Sequence, residues 1–348
     1  MRLRKYYDSW RTNNAFRGAS FGQKNRILSN VLKYFRSNKA LVIRNKPVTA
    51  QIEPTSECNL DCEMCIRKEV GVPIGTMSLN DFKIVLDKLD GLYKIHLSGQ
   101  GEPFLNKEIF DIIKYANKKG ILVNLNTNGI LMTKSVVKKI LEVDVGEIAV
   151  SLESANSREY EKIRRGGKFE VLINNVKNLS GELKSRGKNT IVSFAVTIFK
   201  ENIEEMKDFV KLASDIGVSK IIAQTIQEKE DYVSKYSSDA DAQRVRGLKD
   251  KINHEVGRAR ELAKEKGISL IFDEEKSDGC LWPWRGIYVT WNGYVTPCCK
   301  ILDYRAPCFG NLLQEDFWDI WNGALYQNYR RLLRVRKVPP KCRGCAVV

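Results

Sequence analysis

From residue 49 onward, short apolar runs rich in Ile and Val alternate with stretches of helical period. The runs at 49–55 (TAQIEPT), 95–103 (IHLSGQGEP), 121–129 (ILVNLNTNG), 147–154 (EIAVSLES), 190–199 (TIVSFAVTIF) and 220–226 (KIIAQTI) predict six strands. Between them, 80–92, 108–120 and 202–217 space their apolar residues as one helical face does, and each closes near a glycine, which takes the left-handed backbone of a helix end without strain. Strand and helix in alternation predict an α/β fold built on a parallel sheet with crossover helices. Periodicity does not say whether that sheet stays open or curls toward a barrel.

After residue 227 the texture changes. Residues 228–247 are polar and read as a connection, and Leu248, Ile252, Val256, Ala259 and Leu262 then fall on one face of an amphipathic helix. IYVTWNGYVTPCC at 287–299 is apolar on both sides of Asn292-Gly293, a strong hairpin signal because both turn residues tolerate positive φ. The chain therefore divides into an N-terminal extension at 1–48, a core at 49–227, a helical connection at 228–267 and a small module at 268–348.

The net charge of +16 alters this picture through its location. Residues 1–48 hold twelve Lys or Arg against Asp8 alone, and 329–345 hold no acid. Such ends suit an anionic partner or a solvated basic surface. Within the extension, Ile27, Leu28, Val31, Leu32 and Phe35 share one helical face. That face fits an anionic membrane surface or a cap over the sheet. No apolar run approaches bilayer length and no secretory signal opens the chain, so a cytoplasmic protein is expected, peripheral at a membrane if the basic helix docks there.

Nine cysteines in that setting should be reduced or hold metal. CNLDCEMC puts Cys58, Cys62 and Cys65 directly after the first strand. A closed zinc site wants four ligands and a disulfide two, whereas three thiolates on a cubane cluster leave one iron open for a substrate or cofactor. Cys280 and Cys298 flank the hairpin, and Cys342 and Cys345 are spaced C-x-x-C. These four close either a zinc site or a [4Fe–4S] cluster, and spacing does not separate the two. Cys299 reads as a packed small residue and Cys308 as a non-ligand. Of the two histidines, His96 reads as a core residue, and a Ser/His/Asp hydrolase has little material here. Trp282, Trp284 and the DFWDIWNG run at 316–323 read as packing of the C-terminal module.

C-x3-C-x2-C after the first strand resembles the radical S-adenosylmethionine (SAM) superfamily, and further motifs of that family recur in order. GQGEP resembles its Gly-Gly-Glu-Pro segment, with Gln100 in place of the first Gly and Gly101, Glu102 and Pro103 kept. In the family this segment holds the methionine amino group. TNG with Thr127 and SLES with Ser151 and Glu153 resemble strand-end motifs facing the cofactor. By the same match Ser151 and Arg164 would reach the methionine carboxylate or ribose, and Met64 would lie beside the adenine. C-x12-G-x4-C at Cys280, Gly293 and Cys298 resembles the start of the SPASM auxiliary-cluster domains. The SPASM pattern continues past C-x-x-C with further cysteines, whereas here Val348 comes three residues after Cys345, which resembles the shorter twitch variant with one auxiliary cluster.

The resemblance implies a partial (β/α)6 TIM-like barrel with a small C-terminal β-hairpin-plus-helix module. It implies a SAM-binding [4Fe–4S] cluster on Cys58, Cys62 and Cys65, and one auxiliary [4Fe–4S] cluster on Cys280, Cys298, Cys342 and Cys345. It further implies a low-potential electron donor of flavodoxin or ferredoxin type, and a 5′-deoxyadenosyl radical that takes hydrogen from an unactivated carbon. Oxidation of a sugar- or cyclitol-type alcohol and modification of a peptide are the expected reactions. Cys299 and Lys300 stand where sulfatase-maturing members carry an Asp, which counts against a peptide oxidation dependent on that Asp. A lipid-linked substrate is the alternative suggested by the basic terminus. The alternative of another class is a non-enzymatic zinc protein binding nucleic acid, and the motif order makes nucleic acid the less expected partner.

Overall fold

The computed structural model describes residues 14–226, 244–245, 247–272 and 279–345. The connection expected at 228–247 lies, apart from residues 244, 245 and 247, outside them. The principal elements are α1 (Phe21–Arg36), β1 (Thr49–Ile52), α2 (Leu79–Lys88), β2 (Lys94–Leu97), α3 (Ile109–Lys118), β3 (Leu122–Thr127), α4 (Lys134–Ile140), β4 (Glu147–Ser151) and α5 (Phe169–Ser185). They continue with β5 (Ile191–Ile198), α6 (Met206–Asp215), β6 (Lys220–Thr225), α7 (Lys249–Glu265), β7 (Ser269–Phe272), β8 (Gly286–Val289), β9 (Val295–Thr296) and α8 (Ala324–Arg334).

One sheet runs in the order β7-β6-β5-β4-β3-β2-β1-β8-β9. Every neighbouring pair is parallel except the hairpin β8–β9. The six expected strands are present but several stop early. The one expected at 95–103 ends at Leu97, because Gly99, Gly101 and Pro103 do not sustain a ladder. Its last residues become a loop at the carboxyl edge, where parallel α/β sheets carry their chemistry. Three strands, β7 and the hairpin pair β8–β9, were not foreseen as part of this sheet. β7 adds at one edge, and the hairpin arm β8 pairs with β1 in the register Thr49↔Gly286 to Ile52↔Val289.

Successive residues face opposite sides, and the two sides differ in chemistry. Ala50, Ile52, Ile95, Leu97, Val123, Leu125, Ile148, Val150, Phe194 and Ile221 are buried, in one apolar cluster with Phe82 and Leu86 of α2 and Ile112 and Ile113 of α3. The alternate positions are mostly polar, and several touch one another. Gln51 donates to the Ser98 carbonyl, while Glu147 accepts from Ser193 on β5 and Lys220 on β6. The sheet curls around this polar face. Burial chiefly lowers the His96 pKa, and after Lys94 the charge of Lys220 adds to that lowering although four strand spacings separate β6 from β2. On a flat sheet that would be roughly 19 Å, well beyond the screening length. The fold is thus an α/β partial barrel with a polar lumen. His96 lies half-buried in that lumen and not in the apolar core that its strand position suggested.

The floor of the barrel is closed by α1. Ser20 and Gln23 cap it reciprocally, each side chain bonding the other's backbone N–H. Ile27 and Val31 are buried against Val48 and Tyr93, with Leu122 beside them, at the starts of β1, β2 and β3. Ile27 and Val31 of the apolar stripe that also suited a membrane are therefore turned inward, whereas Leu32 of the same stripe stays 43% exposed and Phe21 81%. Among the described residues no helix is long and apolar enough to cross a membrane.

Asn30 fastens the cap. Its Nδ2 donates to the carbonyls of Lys46, Pro47 and Gly91, and its Oδ1 accepts from the Lys46 N–H. Asn30→Ala would strand these groups, so it is expected to lower unfolding free energy by about 2–3 kcal/mol, read as a shift of the urea midpoint at constant slope.

Candidate functional site

Cys58, Cys62 and Cys65 lie on the segment that follows β1, between Ser56 and a short helix at Arg67–Val70. This segment has almost no regular structure, so its backbone groups bond outward. Ser56 N–H donates to the Gly75 carbonyl (2.9 Å), Asp61 N–H to Arg165 (3.0 Å) and Glu63 N–H to Ile163 (2.9 Å), while the Glu57 carbonyl accepts from Glu102 N–H (2.7 Å). A Cβ at Gly101 would overlap the carbonyl oxygens of Thr55 and Glu57, which is why glycine stands there. The loops after β2 and β4 thus grip the cysteine segment from both sides.

Two buried carboxylates fix the rim. Glu102, on the loop after β2, accepts from Thr127 Oγ1 (2.8 Å), Asn128 N–H (2.7 Å) and Phe104 N–H (3.2 Å), joining the β2 and β3 ends. Burial raises its pKa against the pull of those donors. Asn128 in turn donates from Nδ2 to Asn59 Oδ1 (2.9 Å) and lies 3.9 Å from Cys58 Sγ. Glu153, after β4, forms a bidentate pair with Nε and Nη2 of Arg164, whose Nη1 sits 3.8 Å from Cys62 Sγ. Burial opposes the guanidinium charge, but Glu153 outweighs it and raises the Arg164 pKa. The Cys62 thiol is itself pushed up to about 11, chiefly by burial. Two of the three sulfurs therefore face N–H donors, the environment that suits a metal-bound thiolate.

The predicted residues fall as follows. Gln100, Gly101, Glu102, Pro103 and Thr127 meet at the β2 and β3 ends, and Glu153 and Arg164 at the β4 end. Ser151 is half-buried at the last position of β4, and Met64 packs partly buried on the core beside the cysteines. The Arg164 guanidinium is committed to Glu153 and Cys62, and the Glu102 carboxylate to three protein donors. Sequence reasoning missed Glu53, and it gave Asn128 no role beyond its place in the TNG motif. Glu53, one residue past β1, is 1% exposed and accepts from Gln100 N–H (2.7 Å), Tyr288 Oη (3.1 Å) and Trp291 N–H (3.3 Å). The one signal for it was a carboxylate closing an apolar strand.

A second group of thiols lies in the C-terminal segment. Cys280, Cys298, Cys342 and Cys345 line one cavity with Pro283, Pro297, Ile301, Tyr329 and Leu333. Burial pushes Cys280 up to about 11. Cys299 is not among the lining residues; its thiol is hydrogen-bonded to Cys298, which with burial raises its pKa. Cys308 is exposed away from the cavity. All nine cysteines are free thiols, and four facing an apolar hollow fit a metal–sulfur group. This segment also clasps the first site. Arg305 donates to the Val70 and Gly71 carbonyls (2.9 and 3.0 Å), Trp291 Nε1 donates to Pro73 (3.1 Å), and Tyr304 packs with Ile66, Val70 and Val72.

Residues 52–213 match the Radical SAM superfamily, and residues 280–346 match an iron-sulfur cluster-binding domain, SPASM. The AdoMet-dependent heme synthase of Methanosarcina barkeri is 27% identical over 327 residues, 88% of this chain and 90% of that protein. The antilisterial bacteriocin subtilosin biosynthesis protein AlbA of Bacillus subtilis is 26% identical over 285 residues, covering 80% of this chain and 60% of AlbA. Among solved structures, Streptococcus suis SuiB bound to precursor peptide SuiA superimposes with a TM-score of 0.68 at 17% identity, over 92% of this chain and 74% of SuiB.

Removing one partner of the buried pair should be far worse than removing both. Glu153→Ala strands a buried guanidinium and is expected to cost about 3–5 kcal/mol in urea unfolding of the metal-free protein, whereas Glu153→Leu with Arg164→Met should cost much less.

Proposed function

Because the chain belongs to the radical SAM superfamily and carries that family's auxiliary iron-sulfur domain, we propose that it is a peptide-modifying enzyme that removes hydrogen atoms from its substrate at the mouth of the barrel. It is an enzyme that uses [4Fe–4S] clusters and SAM. In this reading Cys58, Cys62 and Cys65 hold the catalytic cluster, and Cys280, Cys298, Cys342 and Cys345 hold the auxiliary one. Once bound, the reduced cluster and SAM supply a carbon radical strong enough to take hydrogen from an unactivated C–H bond.

The protein's own residues supply position and shelter. Gly101 lets the loop after β2 lie against the cysteine segment, and Glu102 keeps the β2 and β3 loop ends at a fixed spacing. Arg164 and Asn128 present N–H groups to Cys62 and Cys58, favouring their anionic form over the thiols that burial alone would prefer. Ser151 and the backbone of the Gln100–Pro103 segment offer polar groups to the amino-acid part of SAM, and Met64 an apolar face to the adenine. The auxiliary thiols, in the segment that clasps the cysteine loop, stand where the electron left on an oxidised substrate is taken up. An external donor of flavodoxin or ferredoxin type supplies the electron that starts each turnover.

The observation that carries the reading is the set of three free thiols on the β1 loop, two of them facing N–H donors, above an accessible polar lumen in which Asn126 and Gln224 are exposed. The peptide assignment is supported by the likeness to AlbA and to the peptide-bound SuiB.

Anaerobic purification should yield about eight irons per chain, and replacing Cys58, Cys62 and Cys65 together by Ala about four, with cleavage of SAM abolished. Full SAM cleavage in that variant would overturn the assignment. Deuterium from labelled peptides should appear in 5′-deoxyadenosine; label arriving only from small molecules would remove the peptide. Filling the catalytic site must displace the proton that Cys62 holds, so reconstitution should release protons and become more complete from pH 6.5 to 8.5, read in a weakly buffered indicator assay.

A further inference from the structure

The helix behind the second group of thiols carries a charge that no described residue balances. On α8, Tyr326, Tyr329, Arg330 and Leu333 follow the spacing of one helical face, on which neighbouring Cβ atoms lie about 5–6 Å apart. Tyr329 and Leu333 line the cavity with the four cysteines, and Arg330 beside them is fully buried. Its Nε donates to the carbonyl of Pro283 (2.9 Å), which lines the same cavity three residues after Cys280. Its guanidinium also lies over the rings of Trp321 (4.6 Å) and Tyr326 (5.3 Å), and Tyr326 Oη donates to the Thr296 carbonyl (3.4 Å) at the end of β9, two residues before Cys298. Arg330 is thus in contact with residues of both cavity walls.

Nothing anionic accompanies it. Nη1 donates to the Leu41 carbonyl (2.9 Å) and to Asn322 Oδ1 (3.2 Å), and Nη2 is buried without an acceptor among the described residues. Burial lowers the Arg330 pKa to about 10, so the cation persists at neutral pH. Among the described residues no Asp or Glu lines the cavity either. At the first site the guanidinium of Arg164 has Glu153 against it, as a charge taken out of water ordinarily requires. Arg330 has four thiols nearby instead.

We infer that Arg330 is the counter-charge of the auxiliary iron-sulfur cluster and holds its reduction potential up. The inference rests on Cys280, Cys298, Cys342 and Cys345 being that cluster's ligands and adds the group that tunes it. Four thiolates give a [4Fe–4S] cluster a net negative charge, and reduction adds one unit more. A fixed cation behind an apolar wall therefore stabilises the reduced form more than the oxidised one. The cluster becomes a better acceptor for the electron that an oxidised substrate gives up. Docking α8 onto Leu41 and Pro283 needs the N–H groups of Arg330 but not its charge, so the two roles separate experimentally.

The full chain with Cys58, Cys62 and Cys65 replaced by Ala keeps the auxiliary cluster alone and serves as the parent. Its midpoint would be measured by anaerobic potentiometric titration followed by EPR. Arg330→Gln, which keeps hydrogen-bonding groups without the charge, should lower the equilibrium constant for reduction about tenfold, or about 59 mV for a one-electron couple. Arg330→Lys keeps the charge and should stay close to the parent. Asn322→Asp leaves Arg330 in place and sets a carboxylate against Nη1; it should lower the midpoint in the same direction, and it carries the test if Arg330→Gln does not fold. A midpoint unmoved in Asn322→Asp and Arg330→Gln with iron fully bound, or moved as far by Arg330→Lys as by Arg330→Gln, would overturn the inference. A parent that binds no iron would remove the ligand assignment and the inference with it, so iron content tells the two failures apart.

Discussion

A loop that carries three cysteine thiols in eight residues has too little regular structure to hold itself. Many of its N–H and C=O groups find partners outside the cysteine stretch: Gly75 for Ser56, Arg165 for Asp61, Ile163 for Glu63, Glu102 for Glu57. The positions of the thiols are thus set by the ends of β2 and β4 at least as much as by the segment itself. Glu102 and Glu153 extend the same constraint, since each is buried and each ties a strand end to the residues that face the sulfurs. Low dielectric makes these contacts strong while they are complete and costly when broken.

That dependence explains what could be read in advance. The cysteine spacings, the glycine-glutamate segment and the alternation of strand and helix are local patterns, written by residues close together in the chain. Glu53, Asn128 and the pairing of β8 with β1 depend on groups 45 to more than 200 residues away, and no periodicity carries them. His96 was misplaced for a related reason. A strand of a barrel has an inner and an outer face, and position within the strand does not say which of them is apolar. Here Ile95 and Leu97 turn toward the helices and His96 toward the lumen.

The stripe on α1 shows the limit from the other side. Ile27 and Val31 announced an apolar face, but the same stripe suits lipid or protein, and only Val48, Tyr93 and Asn30's three carbonyl partners decide for the barrel floor. The inner face is instead exposed at Asn126 and Gln224, toward the carboxyl ends of β3 and β6.

The place of β8 has a consequence for how the protein comes into being. β1, which launches the cysteine loop, acquires its second neighbour only when residue 286 has left the ribosome, some 230 residues after β1 itself was made. Until then the nascent chain has an unfinished wall beside the site, with β1's outer edge unpaired and Glu53 lacking Tyr288 and Trp291. The surroundings of the cysteine loop accordingly settle late in biogenesis, and the nascent polypeptide must be kept from pairing that edge with another strand in the interval.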